Sequence, residues 1–89
     1  MISESDFTTG TEVLIERPCG LKGCTSIKII QNWRDILRIS VKSTSGTRSS
    51  DAWTKEEKYE ITAKQLAEDL NEMQFGPYGD DISILKEWK

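Results

Sequence analysis

The sequence predicts an α+β fold. It is a small antiparallel sheet of four strands, with a candidate fifth, and one α-helix packed on one face, in the order β-β-β-β-α-β. Three observations carry that reading. Residues 36–43 give the clearest alternation in the chain, with Leu37, Ile39 and Val41 on one side and Arg38, Ser40 and Lys42 on the other, the pattern of a half-buried strand. Ala63, Leu66, Ala67, Leu70 and Met73 recur at helical spacing and make one apolar face. The chain has 89 residues, 36% of them hydrophobic, which suits one modest core and a single domain spanning 1–89.

Each element follows from local chemistry. Residues 11–17 contain Val13-Leu14-Ile15, a short apolar run suited to a strand, and Pro18 cannot continue a ladder. Residues 25–32 are rich in isoleucine (Ile27, Ile29, Ile30) and read as a second strand. Asn32-Trp33-Arg34-Asp35 reads as the turn into the third strand, 36–43. Six of the nine residues in 43–51 are serine or threonine around Gly46, which predicts a flexible loop. Trp53, Tyr59 and Ile61 share one phase, so a fourth strand ends near Ile61. Thr62 and Gln65 have capping-box spacing, and Ile61 and Leu66 stand where a hydrophobic staple forms. Gly76-Pro77 stops the helix. Residues 81–88 alternate at Ile82 and Ile84 and read as a last edge strand or, in part, a short helix. The expected core is Val13, Ile15, Ile27, Ile29, Leu37, Ile39, Val41, Tyr59, Ile61, Leu66, Leu70, Met73 and Ile84.

Composition excludes much chemistry. The chain has no histidine, so triads that use an imidazole base and metal sites built on histidine are absent. A metal-nuclease pattern would need a carboxylate two residues before Lys42, where Ser40 stands. Asp80, Asp81 and Glu87 lack the spacing of a calcium loop, and Gly76-Pro77-Tyr78-Gly79 is a turn rather than a phosphate loop. The expectation is a non-enzyme with no catalytic residue, no cofactor and no metal. No apolar run reaches the roughly 20 residues of a membrane span. The first ten residues carry Glu4 and Asp6 and no lysine or arginine, unlike a secretory leader, so the expected location is cytoplasmic. Cys19 and Cys24 flank a turn with Gly20 and Gly23. They are compatible with reduced thiols, a local disulfide or half a metal site shared across a dimer.

Charge is unevenly spread. Between Arg17 and Arg48 lie seven basic residues and one acid, a formal +6, while the remainder carries -9, for a net of -3. Such asymmetry predicts a basic sheet face formed by Arg38, Lys42 and Lys28, opposite an acidic helix bearing Glu68, Asp69 and Glu72. Arginine and tryptophan are enriched at interface hot spots. The candidate partner-binding residues are therefore Lys28, Trp33, Arg34, Arg38, Lys42, Arg48 and Trp53. The expected function is non-catalytic contact with another protein, as an inhibitor or antagonist of a larger macromolecule, in the manner of an immunity protein or a phage-type inhibitor of nuclease or defence machinery. The alternative is a nucleic-acid-binding module, with phosphates on the basic face and a base stacked on Trp33 or Trp53. Four strands followed by a helix is similar in element order alone to the Whirly-type single-strand binders, with no shared motif. The expected assembly is a monomer or a homodimer.

Overall fold

The computed structural model describes residues 1–16, 23–44, 55–76 and 79–85, and shows a five-stranded antiparallel sheet crossed by one helix. The strands are β1 (Glu12–Glu16), β2 (Cys24–Trp33), β3 (Ile36–Thr44), β4 (Lys55–Thr62) and β5 (Asp81–Leu85), with helix α1 (Ala63–Phe75) between the last two. Their order in the sheet is β4-β3-β2-β1-β5. The first four form a meander, and β5 pairs with β1 on the far side, Val13 opposite Ile84 and Ile15 opposite Ile82. The last element is thus a strand over the described residues. Cys19, Pro77, Tyr78, Trp88 and most of the 43–51 loop lie outside them, as do Arg48 and Trp53.

The helix starts at one sheet edge and delivers the chain to the other. Thirteen residues make a helix about 20 Å long. Five strands have four spacings, about 19 Å in all. The helix is therefore just long enough to cross the sheet. Thr62 is its N-cap, and the Thr62 Oγ1 accepts from the Gln65 N–H at 3.1 Å. The Gln65 side chain does not return the capping bond; it donates to Asp69 Oδ1 at 2.9 Å, one turn on. Gly76 ends the helix, where a Cβ would stand 2.6 Å from the Glu72 carbonyl oxygen.

Val13, Ile15, Ile27, Ile29, Leu37, Ile39, Ala63, Leu66, Ala67 and Leu70 form the core, with Val41, Ile61, Ile82 and Ile84 packed at its margin. The N-terminal segment, which the sequence pattern did not place, packs into the same core. It makes a 3-10 turn at Glu4–Asp6 and buries Ile2 and Phe7. The Asn71 side chain clamps it, donating to the Ile2 carbonyl at 2.8 Å and accepting from the Ile2 N–H at 2.9 Å. On the same face Thr25 is half-buried, while Ser43, Glu57 and Tyr59 are exposed.

That geometry corrects two expected core residues. Tyr59 faces the helix side opposite Ile39 but is exposed, because it sits on β4, an edge strand of the described sheet. Met73 is exposed because it stands in the last helical turns beside the β5 edge, where every side chain is half-buried or exposed. Leu70, by contrast, is fully buried at mid-helix. Leu70→Ala is expected to lower the unfolding free energy by about 2–5 kcal/mol, the cost of lost burial plus a cavity. Urea unfolding of the variant checks it, and an unchanged midpoint would reject this helix face.

The second sheet face is drier at its centre than alternation implies. Ser40, expected in solvent beside Arg38 and Lys42, is buried. So are Glu12, Leu14, Ser26, Cys24 and Thr44. Ser26 Oγ donates to the Glu12 carboxylate at 2.6 Å, so the buried acid has a charge-assisted partner.

Candidate functional site

The β2–β3 hairpin ends in an exposed apolar cluster on this second face. The cause begins in the backbone. Cα pairing runs in step from Cys24 opposite Thr44 to Ile29 opposite Ile39, then shifts so that Gln31 stands opposite Arg38. Ile30 is the extra residue of a β-bulge, which re-aims a side chain and adds twist. Adjacent Ile29 and Ile30 cannot both face the core of a regular strand, and Ile30 is the one turned out, 36% exposed. Beyond the bulge Trp33 pairs with Ile36, and these two are 61% and 45% exposed. The turn is narrower than the sequence suggests, only Arg34 and Asp35, because β2 continues to Trp33.

Arg34 and Asp35 both have positive φ, 52° and 62°. A two-residue hairpin needs that handedness to match strand twist, and Asn-Gly is its usual sequence. Here the turn is held by bonds to other elements. The Asp35 N–H donates to Asn32 Oδ1 at 3.1 Å, while Asn32 Nδ2 donates to the Phe7 carbonyl. The Asp35 carbonyl accepts from the Ala63 N–H at 2.8 Å, using a helix N-terminal donor that has no partner within the helix. The hairpin end is thereby tied to both the N-terminal segment and α1. Asp35→Gly keeps those backbone bonds and relieves the left-handed strain. It is expected to raise stability by about 0.5–1 kcal/mol. A denaturation midpoint at or below that of the parent would sink the strain account.

The Arg34 guanidinium carbon lies 4.9 Å from the centroid of the Trp33 ring, a cation–π stack. Arg38 occupies the next row of the same face, between Gln31 and Glu60. Its contact with Glu60, at 3.9 Å, joins two side chains each more than half exposed, so it binds the arginine weakly.

The seven candidate residues do not form one patch. Trp33, Arg34 and Arg38 meet at the hairpin end, joined by Ile30 and Ile36, which core-oriented reading of the sequence missed. The doubled isoleucine at 29–30 was the available signal. Lys28 and Lys42 stand further down the sheet, Lys28 opposite Glu12 and Ser40, Lys42 opposite Ser26 and Glu56. Arg48 and Trp53 lie outside the described residues.

The charge polarity of the sequence is interleaved by the topology. Basic β2 and β3 sit between β1, with Glu12 and Glu16, and β4, with Glu56, Glu57 and Glu60. Glu56 lies 3.4 Å from the Lys42 ammonium and 3.6 Å from that of Lys58. The hydrogen bond from Lys42 lowers the Glu56 pKa from its ordinary value, helped by the charges of both lysines and opposed by partial desolvation. Among the described residues no cluster of three or more cysteine, aspartate or glutamate side chains is arranged to hold a metal. No helix among them is long and apolar enough to cross a membrane. Comparison with models of known families, with curated proteins and with solved structures finds no match to this chain.

Proposed function

We propose that this chain is a small cytoplasmic, non-catalytic binding protein that inhibits or antagonises a larger macromolecule by direct protein–protein contact through the end of the β2–β3 hairpin. One observation carries the reading. An exposed tryptophan, with an arginine stacked on it and two exposed isoleucines nearby, stands at a left-handed turn whose hairpin end is bonded to the N-terminal segment and to α1. Exposed apolar side chains grouped together mark interaction sites more often than single ones do. A rigid backbone under them spares the ordering cost that binding otherwise carries. Arg34 and Arg38 rim the cluster with positive charge, so the matching surface is an apolar cleft edged by carboxylates.

The nucleic-acid alternative draws on the +6 segment of the sequence. The acids of β1 and β4 beside that segment count against phosphate binding on the sheet face. The test is capture of partners by the tagged protein from its native cell extract, with and without nuclease, followed by assay of the captured partner's activity with added protein. A stoichiometric, nuclease-resistant partner whose activity falls supports inhibition. Recovery that vanishes with nuclease, and is weakened by the pair Arg38→Glu and Lys42→Glu, overturns it in favour of nucleic acid.

A further inference from the structure

The two edges of the sheet are defended differently. Along β4, Lys55, Glu56, Glu57, Lys58 and Glu60 are charged, five residues of eight, and such an edge resists pairing with another chain. Along β5, Asp81 is followed by Ile82, Ser83, Ile84 and Leu85, so the only charge stands at one end. No described strand pairs with its outer flank. Ile82 and Ile84 face the helix side opposite Ile15 and Val13, yet both stay half-buried because nothing described continues the sheet beyond them. The C-terminal end of α1 adds apolar surface near this edge. The Asp80 N–H donates to the Met73 carbonyl at 3.1 Å, tying the last helical turn to the start of β5, and Phe75 in that turn is 67% exposed.

We propose that β5 pairs antiparallel with β5 of a second copy of this chain, centred on Ser83, so that two five-stranded sheets become one of ten strands. The edge is self-complementary in that register. Ile82 of each copy falls opposite Ile84 of the other, which continues the apolar row on the helix side across the seam. Asp81 of each copy falls opposite Leu85, so no like charges meet. Four residues of strand set the two Asp81 carboxylates about 14 Å apart, beyond the ~8 Å screening length at physiological salt. Sliding the register toward Asp81 brings those carboxylates together. Charge therefore selects the alignment that the isoleucines also favour. A two-fold contact of this kind closes on itself and stops at the dimer, because the β4 edges remain charged.

Sedimentation velocity of the full chain, from micromolar to millimolar concentration, tests it. The expected particle has twice the 10.1 kDa chain mass. Ser83→Lys sets two ammonium groups at the centre of the seam and is expected to weaken self-association about tenfold or more, with an unchanged far-UV circular dichroism spectrum. Trp33→Ala, at the hairpin end, is expected to leave the dimer intact. Ser83→Cys supplies a second readout that does not depend on how the lysine variant folds. Antiparallel partners lie within disulfide reach, so mild oxidation links the two substituted positions, as peptide mapping by mass spectrometry detects. A wild-type chain that stays monomeric at every concentration overturns the proposal. A dimer unaffected by Ser83→Lys, one dissociated by Trp33→Ala, or the absence of the linked peptide does so equally.

Discussion

Phe7→Ala is expected to lower the unfolding free energy by about 3–5 kcal/mol, the largest loss expected among the described side chains. Phe7 is the bulkiest of the completely buried side chains among the described residues. It packs in the core with side chains of the sheet and α1, and its carbonyl accepts from Asn32 Nδ2. Truncation removes the ring from the core, and the surrounding side chains belong to strands and a helix that are fixed by their own ladders. The cavity is therefore expected to persist rather than collapse. A domain of this size has a total stability of only about 4–13 kcal/mol. The loss thus amounts to a large share of it, with a fall in Tm of roughly 12–40 °C. Urea and thermal unfolding measure it directly. A fall below about 1 kcal/mol would mean that the N-terminal segment is not part of the core. Because the same carbonyl helps to hold Asn32, and Asn32 holds the turn, the variant is also expected to loosen the hairpin end, seen as faster amide exchange at Asp35.

Trp33→Ala is expected to do the reverse: stability stays within about 0.5 kcal/mol, while affinity for the captured partner falls about 30-fold or more. The ring is mostly exposed, so its removal leaves no cavity. Its loss takes away both the apolar centre of the cluster and the surface on which Arg34 stacks. Titration calorimetry with the purified partner gives the affinity, and circular dichroism confirms that the fold is kept. Retained affinity would remove the hairpin end from the proposed interface. A matching loss for Ile36→Ala, smaller in size, would confirm that the contact is apolar rather than a property of the indole alone.

Sequence periodicity alone determined most of the architecture of this protein. The alternation in 36–43 and the helical spacing of Ala63, Leu66, Ala67 and Leu70 are local properties, and each element formed where its pattern lay. Thr62 capped the helix for the same reason, since the bond it makes spans three residues. What periodicity could not supply was position within the sheet. Tyr59 has the phase of a core residue and is exposed because β4 is an edge. Met73 has the phase of the buried helix face and is exposed near the helix end, beside the other edge. Phe7 belongs to no repeating pattern and is completely buried.

The candidate site divides along the same line. Trp33, Arg34 and Arg38 were legible because tryptophan and arginine next to a turn stand out in composition. Ile30 and Ile36 were not, since only a one-residue bulge decides which of two adjacent isoleucines leaves the core. The charge map failed for a topological reason. Basic and acidic segments separate along the chain, but the meander lays Lys42 beside Glu56 and Arg38 beside Glu60. Local sequence sets the period of each element. Only the pairing of strands distant in sequence sets which neighbour each charge meets, which edge is left bare and which apolar side chains remain in water.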